Sequence, residues 1–237
     1  MRHDWSWKAA TKCFAVGLLV FGLTVGLAPV VGAIPIASVD GTWENAVGGS
    51  NVLIDNLVDP RTVGWGSPPG GNRSGYTWSP HPGPFPVDAP TDGSPFFLGT
   101  FNHINYPIPG GSGITSVDLN FSMTINGTFI NGVFVFNHNE TPNIPGDVPD
   151  VVSISAPGLD TTFVYLGTNY TFNLLGFSQD GGTTFVTDFS TNENAENIAG
   201  LYAAITPGAI PEPATMLLLG SGLIGLAGYA RRRFHKK

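Results

Sequence analysis

Residues 116–139 read SVDLNFSMTINGTFINGVFVFNHN and contain the clearest strand pattern in the chain. Over 117–125, every second residue is apolar and the residues between them are polar. Because successive side chains of a strand point to opposite faces of the sheet, this alternation predicts one buried face and one solvated face. Asn126-Gly127 is a strong hairpin-turn signal, so the next segment is predicted to return beside the first. Within the returning segment, Asn131-Gly132 predicts a bulge or a second turn.

Further short strands are predicted on both sides of this hairpin, each bounded by Gly, Asn or Asp turns. They cover 52–58, 96–102, 150–155, 161–166, 170–177, 183–189 and 201–205. Residues 60–95 are rich in Pro and Gly and are predicted to be a long loop, and 193–199 has room for one helical turn. Eight or nine short strands without a long amphipathic helix predict an all-β fold, a single β-sandwich of jelly-roll type over 34–209.

The N-terminal end has the organisation of an export signal. Three basic residues within the first twelve are followed by an apolar stretch over 13–31, and small residues surround a cleavage point at Ala33. This order predicts a signal peptide, 1–33, that the Sec export machinery uses and that is removed after Ala33. Removal takes away Cys13, the one cysteine of the sequence, so the exported domain has no disulfide and no thiolate metal ligand.

The C-terminal end carries three features in series. Pro211, Glu212 and Pro213 precede an uncharged apolar segment, 214–230, and a basic tail, 231–237, follows. The segment is near the minimum length for a helix that spans a bilayer core of about 30 Å, so it predicts a single transmembrane helix. The tail is a strong positive-inside stop signal. It begins with Arg231, Arg232 and Arg233.

In this order and spacing, the three features resemble the PEP-CTERM sorting signal of bacteria that make extracellular polysaccharide. The resemblance covers 210–237 and implies recognition by an exosortase, which removes the tail near the Pro-Glu-Pro motif. It therefore implies a protein that is exported through the inner membrane and ends at the cell surface or in the extracellular matrix. The alternative is a plain C-terminal membrane anchor that is never cut.

A second resemblance covers most of the domain between the two ends. Segments 98–108, 139–143 and 150–152 are similar to the THxN-type domain of PEP-CTERM proteins, also called choice-of-anchor K. The threonine of the family motif is replaced by Asn102, which is followed by His103 and Asn105. The resemblance implies an extracellular sandwich with variable surface anchoring and adds no known activity.

The domain is strongly acidic. Two basic and fifteen acidic residues lie between residues 34 and 209, which gives this region a net charge of −13. Such a surface repels nucleic acid, so nucleic acid is excluded as a partner. It is typical of a solvated secreted protein, and it favours cations.

Two stretches rich in carboxylate and amide oxygens are candidates for a structural calcium ion. The first is Asn139, Glu140, Asn143, Asp147 and Asp150, and the second is Asp188, Glu193, Asn194 and Glu196. Neither matches an EF-hand loop. If neighbouring strands end side by side, His103, His138 and Glu140 converge on a metal ion instead. The alternative is that these side chains cap loops through hydrogen bonds to the backbone.

The sequence singles out no catalytic residue, since it contains no nucleophile elbow, zinc-binding helix or phosphate loop. The protein is therefore predicted not to be an enzyme, and its function to be structural or adhesive within an extracellular polysaccharide or biofilm layer. One alternative is a carbohydrate-binding module with Trp65, Tyr76 and Trp78 as platforms for sugar rings. The other is a polysaccharide hydrolase, although no carboxylate pair stands out.

Overall fold

The computed structural model describes residues 32–66, 71–143, 148–156, 161–208 and 220–224. The chain divides into two units, 1–31 and 32–237, and every strand below belongs to the second. The predicted signal peptide lies outside the described residues up to Val31. The PEP motif, the Arg cluster and most of the predicted membrane segment 214–230 also lie outside them.

Thirteen strands are present in the described part of the chain. They are β1 (Ala33–Gly48), β2 (Leu53–Asp55), β3 (Arg61–Trp65), β4 (Ser74–Pro80), β5 (Val87–Pro90), β6 (Pro95–Asn105), β7 (Ile114–Ile125), β8 (Thr128–Asn139), β9 (Asp150–Ser155), β10 (Thr161–Tyr165), β11 (Thr168–Ser178), β12 (Asp188–Thr191) and β13 (Ala195–Pro207). The first sheet has the order β12-β9-β8-β7-β1-β5 and the second β10-β11-β13-β6-β4-β3-β2. The prediction of an all-β fold is confirmed.

The predicted hairpin forms the middle of the first sheet. β7 and β8 pair from Ile125 opposite Thr128 to Ser116 opposite Asn137 without a shift in register. Asn126 and Gly127 have φ angles of 45° and 76°, which suits a two-residue turn with positive φ at both positions. The alternating apolar residues of β7 are all buried, as predicted.

Several details of the predicted strand pattern are wrong. Of the strand predicted over 183–189, only Asp188 and Phe189 lie in a strand, β12. Asn131-Gly132 forms neither bulge nor turn, because both residues stay in register opposite β7. The loop predicted over 60–95 contains β3, β4 and β5. Each of these strands contributes buried side chains to the core, such as Val63, Trp78 and Ala89. The predicted helical turn over 193–199 instead leads into β13, which pairs with β6 from Ala195 onward.

The core lies between the two sheets and is rich in aromatic side chains. Phe101 of β6 stacks on Phe136 of β8 with ring centroids 5.0 Å apart. Trp43 of β1 and Tyr76 of β4 meet with centroids 5.9 Å apart. Because each pair joins one sheet to the other, the sheets pack face to face in a sandwich-like arrangement.

A bulge in β11 lets a later segment bridge the two sheets. The pairing of β11 with β13 shifts its register between Leu174 and Gly176. Beside this point, Val186 exchanges two backbone hydrogen bonds with Phe177 of the second sheet, at 2.8 and 3.0 Å. The next carbonyl, of Thr187, accepts from the backbone N–H of Ile154 in the first sheet at 2.8 Å. Successive residues therefore bond to opposite sheets.

Within the described ranges, no helix is both long and apolar enough to cross a membrane. A short helix covers 220–224, inside the segment predicted to be the membrane helix. The remainder of that prediction concerns residues that the structure does not describe.

Candidate functional site

A group of polar side chains is enclosed within the otherwise apolar core. It consists of His103, His138, Asp150 and Thr191, each at most 7% exposed, and is called the polar centre below. His103 belongs to β6 in the second sheet, and the other three belong to β8, β9 and β12 in the first. Burial of polar groups is unfavourable unless each finds a partner, so the position of every partner matters.

The hydrogen bonds of Thr191 determine which nitrogen of His103 carries the proton. The Thr191 hydroxyl donates to the backbone carbonyl of Asp150 at 3.3 Å, so it accepts from Nδ1 of His103 at 2.9 Å. Nε2 of His103 therefore presents a lone pair, and this atom is buried without a hydrogen-bond partner. Burial and the nearby His138 ring hold the pKa of His103 well below its usual value, which keeps the ring neutral.

Asp150 has one satisfied and one unsatisfied carboxylate oxygen. Oδ1 accepts from the backbone N–H of Thr141 at 2.7 Å and lies 2.8 Å from its hydroxyl, which also contacts the Val148 carbonyl at 2.6 Å. Oδ2 is buried without a hydrogen-bond partner and lies 4.0 Å from Nε2 of His138. A buried carboxylate oxygen in this position is unfavourable unless a cation or a donor meets it.

His138 is held from two sides. Its Nδ1 lies 2.7 Å from the Tyr76 hydroxyl, and its Nε2 lies 3.1 Å from Oε2 of Glu140. The Glu140 side chain is 17% exposed and so extends from the polar centre towards solvent. Burial raises the pKa of Tyr76 well above its usual value, and the Asp150 and Glu140 carboxylates add to the effect, so the hydroxyl keeps its proton.

These residues bring two sets of metal-ligand atoms together. One ligand atom from each of His103, His138 and Asp150 lies within 4.8 Å of the others, and the same holds for Glu140, Asp150 and Glu193. The sets share Asp150. The first is fully buried, whereas Glu140 and Glu193 are partly exposed. The arrangement is a nitrogen- and oxygen-lined centre with an acidic side towards solvent.

The calcium ligands predicted from the sequence separate in the structure. From the first stretch, Glu140 and Asp150 reach the polar centre. Asn139 faces solvent, and Asn143 donates to the carbonyl of Ile108 at 3.0 Å. Asp147 lies outside the described residues.

From the second stretch, Glu193 joins the centre. Asp188 and Asn194 are exposed, and Glu196 accepts from Asn102 at 3.4 Å. The predicted approach of His103 to His138 does occur, with ring centroids 5.2 Å apart. The oxygen-rich stretches are therefore split, and one member of each, Glu140 and Glu193, lies beside Asp150.

The aromatic residues predicted to contact sugars are buried. Trp65, Tyr76 and Trp78 are each 0% exposed. They lie on β3 and β4, not on a loop, and Trp65 packs edge-on against Tyr76 at 4.8 Å between centroids. The prediction that they form an exposed platform for glycans is therefore wrong, because their strand positions turn them into the core.

The sequence reasoning missed the residues that hold the histidines in place. Thr191 and the Tyr76 hydroxyl bond to their Nδ1 atoms. Asn105 donates to the Thr191 carbonyl at 3.4 Å, and Asn197 donates to the His103 carbonyl at 3.3 Å. One signal was available: His103 and Asn105 are two apart, which places both on the same face of a strand.

The folded domain ends immediately before a recognisable sequence. β13 ends at Pro207, and the N–H of Gly208 donates to the Asn169 carbonyl at 2.7 Å. The model of one family, the PEP-CTERM protein-sorting motif, matches residues 209–233. The chain carries a PEP-CTERM sorting motif. No curated protein matches the chain.

The PEP-CTERM motif covers the Pro-Glu-Pro sequence at 211–213 and extends through the Arg cluster at 231–233. Its presence implies that the protein is exported, sorted by an exosortase and localised at the surface. The matched residues are about a tenth of the chain, and they lie outside the domain that contains the polar centre. The motif therefore indicates where the domain is sent and gives no information on its chemistry.

Proposed function

We propose that the protein is a structural or adhesive component of an extracellular polysaccharide or biofilm layer. The PEP-CTERM motif at 209–233 carries the proposal, because it directs the preceding domain to an exosortase. The Sec machinery, the inner membrane and the exosortase are the partners on this route, and extracellular polysaccharide is the partner at its end. The acidic, cysteine-free sequence of 34–209 suits a soluble domain outside the cell.

We also propose that the domain is not an enzyme. A groove of about 730 Å³ lies over β2, β3 and β4, and among its described lining residues Asp55 is the single carboxylate. Glycoside hydrolysis ordinarily needs a pair of carboxylates at a sugar-sized cleft. The polar centre, in turn, keeps His103 and Asp150 fully buried, which disfavours contact with a polymeric substrate.

We further propose that residues 34–209 form a THxN-type, choice-of-anchor K domain with a jelly-roll-like sandwich. The residues that carry the resemblance, His103 and Asn105, both have 0% exposure and both approach Thr191. The spacing of two residues places the histidine and the asparagine on the same face of the strand. Both side chains can then hydrogen-bond to Thr191. This gives the motif a structural reason.

The intact mass and location of the mature protein from its native host test the sorting proposal. We expect a chain that lacks 1–33 and the residues beyond the Pro-Glu-Pro motif and that is found outside the cell. A mature chain that keeps 214–237 in the membrane contradicts processing by an exosortase and supports a permanent anchor.

Glu212→Ala is expected to leave most of the protein unprocessed and in the membrane fraction. Glu212 is the charged residue of the Pro-Glu-Pro sequence, and its removal leaves the apolar segment and the basic tail unchanged. The ratio of processed to full-length protein on an immunoblot measures the effect. Glu196→Ala, at an exposed acid of β13, is the control and is expected to be processed normally. Equal processing of both variants contradicts the role of Glu212.

A further inference from the structure

We propose that the polar centre binds one divalent transition-metal ion of the Zn²⁺ type. The ligands are Nε2 of His103, Nε2 of His138 and the Asp150 carboxylate, and Glu140 completes the set from the solvent side. This goes beyond the proposed surface function, which neither requires nor excludes a metal ion. It also differs from the calcium site predicted from the sequence, because two imidazole nitrogens take part.

Several buried acceptors at the polar centre have no hydrogen-bond partner. Nε2 of His103, Oδ2 of Asp150 and Oε1 of Glu140 are buried acceptors without hydrogen-bond partners. Nε2 of His138 lies 3.1 Å from the other Glu140 oxygen, Oε2. Converging buried acceptors are unfavourable by themselves, and a cation satisfies several of them at once.

Each of the two histidines is held through its Nδ1 atom. Nδ1 of His103 donates to Thr191, and Nδ1 of His138 lies against the Tyr76 hydroxyl at 2.7 Å. In metal-binding histidines, the nitrogen that does not bind the metal is commonly fixed by such a hydrogen bond, which sets the tautomer and the ring orientation. His103 therefore already presents the lone pair of Nε2, whereas Nε2 of His138 exchanges its partner Glu140 for the ion when the metal binds.

The ligand set decides between classes of metal ion. Calcium prefers six to eight oxygen ligands, whereas imidazole nitrogens together with carboxylates suit zinc and similar first-row ions. His103, His138 and Asp150 supply two nitrogens and a carboxylate. Glu140, whose Oε2 lies 3.1 Å from Nε2 of His138, is the neighbouring carboxylate that would complete a tetrahedral set. The acidic set of Glu140, Asp150 and Glu193 leads from the partly exposed side to the buried one, which gives a cation an attractive entry.

The position of the site gives the ion a structural role. His103 lies in the second sheet, and His138 and Asp150 lie in the first, so one ion joins the two sheets. The ion also joins residues that are far apart in the sequence. It therefore restricts the conformations open to the unfolded chain, as a cross-link does. The domain has no cysteine and cannot form a disulfide, so the ion serves as the cross-link between its two sheets.

The test uses the full chain, stripped with a chelator and then titrated with Zn²⁺ alone. We expect one Zn²⁺ per chain by elemental analysis and a melting temperature that rises by about 5–10 °C at a hundredfold excess over Kd. Co²⁺ in the same site is expected to give the visible absorption bands of a tetrahedral nitrogen- and oxygen-ligated ion. Substoichiometric zinc without a thermal shift, or an equal shift with Ca²⁺, overturns the proposal.

Asp150→Asn separates metal binding from folding. The amide keeps an oxygen for the two contacts with Thr141 and places an N–H₂ group where Oδ2 had no partner. We therefore expect zinc affinity to fall by about 100-fold or more. This is a larger loss than that expected from removing a residue that only hydrogen-bonds to a metal ligand. In the metal-free protein, the melting temperature is expected to stay the same or rise. Wild-type zinc affinity in this variant overturns the proposal.

His81→Gln is the matched control, because His81 lies outside the polar centre and accepts from the N–H of Gly83 at 3.0 Å. It is expected to bind zinc as the wild type does, whereas His103→Gln is expected to lose binding.

Tyr76→Phe removes the hydroxyl beside His138 and is expected to weaken zinc binding by about 10–100-fold while stoichiometric binding remains. If His103→Gln does not fold, Glu140→Gln at the partly exposed side provides the same comparison, with weaker zinc binding expected. Unchanged affinity in Glu140→Gln and Tyr76→Phe overturns the ligand assignment.

Discussion

Phe101→Ala is expected to lower the free energy of unfolding by about 3–5 kcal/mol. Phe101 is fully buried, and its ring lies 5.0 Å from Phe136 in the opposite sheet, 5.2 Å from Phe177 and 5.0 Å from Tyr76. Neighbours on both sheets support one another, so neither sheet can move to fill the cavity that truncation leaves. Urea denaturation followed by tryptophan fluorescence, at fixed zinc concentration, measures the loss.

Phe129→Ala is the matched control for this truncation. Phe129 is 66% exposed and lies near the tip of the β7–β8 hairpin. Removing an exposed ring is expected to change the free energy of unfolding by no more than about 0.5 kcal/mol. Similar losses for the two variants contradict the position of Phe101 at the junction of the sheets.

Gly176→Ala is expected to destabilise the domain by about 2–6 kcal/mol, because strain and collision add. Gly176 has a φ of 111°, which side-chain-bearing residues rarely adopt. A Cβ at this position also collides with the backbone carbonyl oxygen of Val186, in the segment that bonds first to one sheet and then to the other. That carbonyl cannot move without breaking its hydrogen bond to the N–H of Phe177. Denaturation midpoints and slopes give the free energy.

Gly167→Ala isolates the backbone strain from the collision. Gly167 has a φ of 80°, and an added Cβ meets no atom within 4 Å. We expect a loss of about 1–2 kcal/mol from the left-handed conformation alone. The difference between the two glycine variants then measures the collision with the bridging segment, and equal losses contradict the close approach of Val186.

The fold could be predicted from the sequence where the signal is local. The alternation along β7 and the turn at Asn126-Gly127 need no information from other parts of the chain, and both are confirmed. β3 and β4 were missed because proline and glycine surround them, which favours a loop. Trp65 and Trp78 looked like loop aromatics for the same reason, although both are buried.

The polar centre depends on which strands become neighbours. His103 and Thr191 are 88 residues apart and come from different sheets, so no spacing rule connects them. The sequence did indicate that His103, His138 and Glu140 would approach if their strands ended side by side. It could not indicate that Thr191 sets the tautomer of His103, because that depends on a hydroxyl whose own proton is held by Asp150.

Among the described residues, the hydrogen bond from Gly208 to Asn169 lies nearest to the Pro-Glu-Pro sequence and fixes the point at which the tail leaves the domain. Pro211 follows three residues later, so an extended chain can carry the Pro-Glu-Pro sequence no more than about 10 Å beyond that bond. An exosortase that cleaves near this motif therefore works with the folded domain close by, or else acts before β13 has docked.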